Sequence, residues 1–343
     1  MPKKIVAFLT ICVASLSFST GVNAQDSDNY YVDQSIAYDK NLTGYDYPFA
    51  ISEYNFRSQG QDLRMAYMYL PAKDADKGVV TLLHGKNFNG AYWKSTADLL
   101  QGMGYGVLIP DQIGFGKSTK TTDYQYSFAA LAKNTKSLID SLSIKKTIIV
   151  GHSMGGMLAS RFTLLYPEVT EKLILVNPIG LEDYLKYSEY KDVSFFYENE
   201  LKKKPINIIN YQIKNYYDGE WNEQYAALTK PLIGWINGDD YDLLSMVSAL
   251  TYDMIFTGPV INEFDNIQVP TTLIIGTRDR TGPGRGWKKD GVDRELGRYD
   301  QLGKEIKRIN PEINVIELDG LGHLPQIESF KRFSTVFKTA IDK

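Results

Sequence analysis

The chain has 343 residues, 43% of them hydrophobic, and a formal net charge of −3. That length supports a sizeable core in one large domain or two smaller ones. A mildly acidic chain without basic blocks has no electrostatic footprint for nucleic acid.

Residues 1–24 read as a secretory signal peptide. Lys3 and Lys4 precede an apolar run from Ile5 to Phe18, and "VNA" closes the stretch before Gln25. A membrane anchor needs roughly 20 apolar residues, more than this serine-salted run offers. A lipid anchor on Cys12 is disfavoured because Ile11 stands where lipidation usually wants a small residue. Cleavage after Ala24 would remove both lysines, taking the net charge from −3 to −5, and with them the only cysteine, Cys12. The mature chain would then have no disulfide, no thiolate metal site and no membrane anchor, and would be periplasmic or secreted. Residues 25–52 are polar and tyrosine-rich, and are read as an N-terminal extension.

From residue 53 onward, short continuous apolar runs recur. They are "GVVTLLHG" (78–85), "GVLIPD" (106–111), "TIIVG" (147–151), "LILVNP" (173–178), "TTLIIGT" (271–277) and "NVIELDG" (314–320). Continuous rather than alternating runs suit strands buried on both faces of a mostly parallel sheet. Helical spacing lies between them. Phe128, Leu131, Leu138, Ile139 and Leu142 form one stripe, with Ser127 placed to cap it. Met157, Leu158, Phe162 and Leu165 form a second, and Phe330, Phe333, Val336, Phe337 and Ile341 a third. This alternation predicts an open α/β fold with right-handed crossovers. The interval 179–270 exceeds any ordinary crossover. It carries many tyrosines with Trp221 and Trp235, and reads as an inserted helical cap rather than a long decorated connection. The α/β core would then comprise residues 53–178 and 271–343.

Chemistry gathers at the strand ends. In "VGHSMGG" (150–156) the glycines permit a sharp strand-to-helix turn, with Ser153 exposed at the strand's C-terminal end. The alternative is a glycine-rich turn with an incidental serine. The chain offers only three histidines as a base: His84, His152 and His323. His152 adjoins Ser153 and must project elsewhere, while His84 opens another strand-end turn. His323, in "DGLGHLPQIE" after the last strand, can reach the serine. Asp279 in "GTRDRTG" is placed to orient the imidazole, with Asp183 in reserve; the plainer reading of Asp279 is a loop ion pair with Arg278 or Arg280. An oxyanion needs fixed donors. The Met154 N–H is one, and the turn "HGKNFNG" supplies the other, from Lys86 first or Asn87 second. "DQIGFGKST" (111–119) has Asp111 where a phosphate-binding loop needs its first glycine, and the glycines at Ser153 do not fit a dinucleotide fingerprint. No cofactor is expected, and so few histidines leave no catalytic zinc site.

These motifs, in this order and at these intervals, resemble the α/β-hydrolase superfamily from about residue 53 to the C-terminus. "HGKNFNGAYW", "DQIGFGKS" and "NPIGLEDY" look like a subgroup of secreted bacterial hydrolases. The resemblance implies a helical cap over the site. Relatives that open epoxides or remove halides use an aspartate where this chain has Ser153, so acyl chemistry is implied. Lys86 departs from the small or apolar residue common after "HG". The expectation is a serine hydrolase acting on a small-molecule ester or acyl substrate, with Ser153, His323 and Asp279 as triad. Carbon–carbon bond hydrolysis or acyl transfer by the same triad is the alternative, and a non-catalytic binding protein on this scaffold is a third reading. The aromatic cap residues suggest a pocket for an apolar or ring-containing group.

Overall fold

A computed structural model describes residues 30–74 and 76–342. The expected signal peptide, residues 1–24, lies outside the described residues. None of the described helices is long and apolar enough to cross a membrane.

Eight strands form one sheet among the described residues. The first two, β1 (Ile51–Ser58) and β2 (Gln61–Leu70), make an antiparallel hairpin. Gln59 and Gly60 turn it with φ of 51° and 78°, the left-handed pair that matches strand twist. No residue of β1 is fully buried, so the hairpin lacks the continuous apolar signal of a two-sided strand. It is an addition to the expected fold.

The six apolar runs become β3 (Val79–Leu83), β4 (Gly106–Pro110), β5 (Thr147–His152), β6 (Thr170–Val176), β7 (Thr271–Gly276) and β8 (Asn314–Leu318). The order across the sheet is β1-β2-β4-β3-β5-β6-β7-β8. β2 pairs antiparallel with β4, and every pair from β4 to β8 is parallel. The fold class is the expected one. All the parallel strands therefore end at one edge of the sheet, where ligands of open α/β folds bind.

Three helices cross between the early strands: α1 (Lys94–Gly102), α2 (Phe128–Ser141) and α3 (Met154–Leu165). Ser127 caps α2 through its side chain, which accepts from the Ala130 N–H at 3.1 Å. Between β6 and β7 the chain forms α4 (Tyr184–Tyr187), α5 (Val193–Leu201), α6 (Pro205–Asn215), α7 (Glu223–Ala227), α8 (Lys230–Asn237) and α9 (Tyr241–Thr257), with no strand among the described residues. After β7 come α10 (Tyr299–Ile309), α11 (Pro325–Glu328) and α12 (Phe330–Asp342).

Side chains from alternate positions of each strand feed two separate cores. Val80, Val150 and Val176 pack with Leu100 of α1 and Phe333 and Phe337 of α12. Leu83, Ile149 and Leu175 pack on the other face with Leu131 of α2, Phe162 of α3 and Ile306 of α10. Leu165, expected in the α3 stripe, sits at the helix end and is largely exposed.

The stretch from Tyr30 to Phe49 contains no helix or strand, but it is tied down. The Tyr38 N–H donates to Gly234 O at 2.8 Å, Asn237 Nδ2 reaches the carbonyls of Gln34 and Ile36, and Trp235 Nε1 reaches that of Asp39. Gly234 is needed for this approach, because a Cβ there would lie 2.0 Å from the Tyr38 ring. Lys40 pairs with Asp240, and Tyr47 Oη donates to buried Asp111 at 2.6 Å. The segment thus spans from the helical insertion to the core.

Candidate active site

β5 ends at His152 and α3 begins at Met154, so Ser153 alone makes the turn. Its φ of 55° and ψ of −123° lie in a sparsely populated region that costs roughly 1–3 kcal/mol. Two glycines make the turn fit. A Cβ on Gly151 would fall 2.1 Å from Gly155 O, and one on Gly155 would fall 2.3 Å from Leu83 O. Helix α3 can begin this close to the strands only because both side chains are absent.

The loops after β7 and β8 bring Asp279 and His323 to the same place. His323 Nε2 lies 3.0 Å from Ser153 Oγ, and its Nδ1 lies 2.7 Å from Asp279 Oδ2. A carboxylate can only accept, so Nδ1 carries the proton and Nε2 is left to accept from the serine hydroxyl. All three residues are buried. Burial alone would raise the Asp279 carboxyl, but the adjacent His323 and the hydrogen bonds from His323 and Thr281 outweigh it and hold the group below its ordinary value. The carboxylate accepts the Thr281 N–H at 2.8 Å and Asn177 Nδ2 at 2.9 Å. Neither neighbouring arginine binds it. Arg278 pairs with Glu328, and Arg280 donates to the backbone carbonyls of Asp279 and Thr277. The reserve candidate, Asp183, does not meet His323; its carboxylate accepts from Asn262 and lies 3.7 Å from Lys186.

Several supporting residues went unassigned in the sequence. Asn177 follows β6 with φ of 37°. Its Oδ1 accepts the Gly276 N–H at 2.8 Å while its Nδ2 serves Asp279, so it locks the β7 loop to its neighbour. His152 does project away from Ser153, as expected, and the structure shows where it goes. Its Nε2 donates to His323 O at 2.8 Å and its Nδ1 accepts from Tyr92 Oη at 2.9 Å, while that oxygen accepts the Gly85 N–H at 3.2 Å. Burial keeps His152 well below its ordinary pKa, which suits a neutral ring with one donor and one acceptor. This relay joins the turn after β3 to the loop that carries His323. Tyr216, just past α6, stacks on the His323 ring at 4.8 Å and 24°, and its Oη accepts from Asn87 Nδ2 at 2.9 Å. The place of Asn177 at a strand end is a signal visible in the sequence, whereas nothing local announces Tyr216.

The turn after β3 puts backbone beside the serine: a Cβ on Gly85 would be 3.0 Å from Ser153 Cβ. The N–H groups of Lys86 and Met154 have no partner among the described residues. The Lys86 side chain runs the other way, donating to Ser248 O at 2.8 Å and Thr251 Oγ1 at 2.6 Å on α9, with its Nζ 4.2 Å from the Tyr252 ring. Burial of that ammonium pushes it down to about 7. In "DQIGFGKST" the Asp111 carboxylate accepts the N–H groups of Gly90 and Lys117 at 2.7 Å. The loop wraps around its own side chain.

Ser153 opens into a cleft of about 870 Å³, counting its open mouth, walled by both the core and the helical insertion. Tyr211, Tyr252, Ile255, Phe256 and Trp287 form its apolar sides. The two tryptophans singled out in the sequence are not among them. Trp221 donates to Tyr30 O, Trp235 faces an adjoining chamber, and the indole in the cleft is Trp287 from the loop after β7.

The α/β hydrolase fold family model matches residues 78–231. A crystal structure of a probable hydrolytic enzyme from Pseudomonas aeruginosa PAO1 is 41% identical, with a TM-score of 0.87, over 90% of this chain and 99% of that one. The chain belongs to the α/β-hydrolase superfamily. An esterase from Exiguobacterium antarcticum shares the hydrolase fold at 15% identity and a TM-score of 0.65, over 82% of this chain and 97% of that one. The 2-hydroxy-6-oxo-6-phenylhexa-2,4-dienoate hydrolase of Burkholderia cepacia is 38% identical over 112 residues, 32% of this α/β-hydrolase and 39% of that enzyme. Matches to curated relatives span only 29% to 43% of the relatives' own length.

Proposed function

We propose that this α/β-hydrolase is an exported serine hydrolase that cleaves a carboxylic ester through an acyl-enzyme on Ser153. The observation that carries the reading is the unbroken path Ser153 Oγ, His323, Asp279, with spacings of 3.0 and 2.7 Å. Ser153 Oγ attacks the ester carbonyl as its proton passes to His323 Nε2. The buried Asp279 carboxylate stabilises the imidazolium and holds its tautomer. The carbonyl oxygen becomes an oxyanion held by the N–H groups of Lys86 and Met154. His323 then returns the proton to the departing alkoxide, the alcohol leaves, and the acyl group stays on Ser153. Water, deprotonated by His323, attacks the acyl-enzyme and releases the acid.

The test is release of p-nitrophenol from a chain-length series of p-nitrophenyl esters by wild type and Ser153→Ala. Turnover that disappears with the serine supports the reading, and unimpaired turnover by the variant ends it. The Burkholderia relative favours a second reading, carbon–carbon cleavage of an enol-keto acid by the same residues. Product analysis on such an acid separates the two. Export predicts a periplasmic or secreted mature chain beginning at Gln25, checked by N-terminal sequencing; a full-length chain in the cytoplasm would refute it.

A further inference from the structure

The charges in the Ser153 cleft are one-sided. Its lining contains Lys86, Arg280 and Arg285, and no carboxylate. Lys86 turns its ammonium toward α9 and is satisfied there, so the two arginines matter. Arg285 takes no acidic partner among the described residues; its guanidinium donates to Arg280 O at 2.6 Å and Asn215 Oδ1 at 3.2 Å. Arg280 has one carboxylate within reach, Asp300 at 3.4 Å, which is already gripped by both arms of Arg298. The loop that carries them is well held. Gly284 O accepts from Ser188 Oγ at 3.0 Å, the Trp287 N–H closes a turn back onto Gly284 O at 3.0 Å, and Ser188 bridges to Lys288. Arg285 is exposed and Arg280 half-buried, so both stand on the solvent-facing wall of the cleft, where forked donors with no carboxylate of their own can take an anionic group from a ligand.

Resting on the serine-hydrolase reading, we infer that Arg285, assisted by Arg280, forms an anion subsite of the Ser153 cleft. The enzyme's substrate class is then acyl compounds carrying a carboxylate. Ile255, Phe256, Tyr252 and Trp287 take the apolar or ring-containing part between the carboxylate and the scissile bond. Planar, forked arginine hydrogen bonding suits a carboxylate, and hydrogen bonds to charged groups are strong enough to change selectivity by about tenfold or more.

Matched substrates test this. Mono-p-nitrophenyl glutarate against p-nitrophenyl pentanoate places the charge on the acyl side, and 4-acetoxybenzoate against 4-acetoxybenzamide places it on the alcohol side. The expected result is a kcat/KM ratio of about ten or more for the anionic member of at least one pair. That ratio should collapse toward one in the Arg280→Gln/Arg285→Gln variant. It should also fall with added salt in wild type, as attraction between partly exposed charges is screened. Ratios within twofold for both pairs overturn the inference, as does a preference that the double variant keeps. If the double variant does not fold, the salt series on wild type decides. If wild type cleaves none of the four, the ester reading has failed instead. Calorimetric binding of monophenyl glutarate against phenyl pentanoate to Ser153→Ala then decides the anion subsite alone.

Discussion

The sheet edge and the helical insertion build the same cleft by opposite means. At the sheet edge, Ser153, Asp279 and His323 each stand within a few residues of a strand end, so local chain geometry aims them. In the insertion, the residues facing the cleft come from α6, the turn after it and α9, and reach it only through packing of distant segments. The first region is fixed by backbone hydrogen bonds and close glycines. The second is fixed by rings: Phe196 stacks on Tyr252 at 5.1 Å and on Phe256 at 5.7 Å. The proposed triad therefore sits in the part with the stiffest local rules, and much of the cleft's shape comes from the part that can vary by repacking.

Substitutions can break or sharpen that contrast. The largest effect should come from the sheet edge: Ser153→Ala is expected to lower kcat on p-nitrophenyl esters by on the order of 10⁴-fold or more. A loss of only a few-fold would remove Ser153 from the chemistry. Asn177→Ala, which withdraws one donor from Asp279, is expected to lower kcat by roughly tenfold with little change in KM, by analogy with the cost of losing second-sphere partners. Tyr216→Leu probes the insertion's stacking contact with His323. A several-fold drop in kcat with a shifted pH profile would show that the insertion helps place His323, whereas a change in KM alone would restore the division between the regions.

Two smaller effects concern pH. The Asp279 carboxyl is held below its unfolded value, so its stabilisation is complete above the ordinary aspartate pKa, about 3.9, and disappears as the pH falls through the lower folded value. Asp279→Asn should therefore flatten the acid side of a denaturant-midpoint series. Lys86 works in the opposite sense. With its ammonium pushed down to about 7, the unfolded chain binds that proton more readily than the folded one up to about 10.4. Wild-type stability relative to Lys86→Met should rise across that window and level off on either side. A parallel pair of curves would show that the ammonium is not desolvated as the structure implies.

Legibility in the sequence followed the same division. The six parallel strands, the three core helices and the residues proposed as the triad can all be located from short windows, because a two-sided strand must be continuously apolar and a sharp turn must carry glycine. The β1–β2 hairpin could not be located so, since an edge strand has no such run. Tyr216 and Trp287 are equally silent in sequence: an aromatic ring placed by tertiary packing carries no periodic signature. Expecting Trp221 and Trp235 at the cleft followed composition, and composition cannot say that both indoles donate to carbonyls of the Tyr30–Phe49 stretch instead.

That stretch changes the mechanics of the insertion. A domain inserted in a loop has two covalent joints and can swing about the line between them. Here Tyr38, Lys40 and Tyr47 add a brace outside the cleft, running from α8 and Asp240 to Asp111 in the core. It acts alongside the ties from Lys86 to α9, Asn87 to Tyr216 and Ser188 to Gly284, and all of them oppose such a swing. Cutting this brace, for example by Tyr47→Phe with Lys40→Ala, removes a restraint that lies outside the cleft and touches none of its lining.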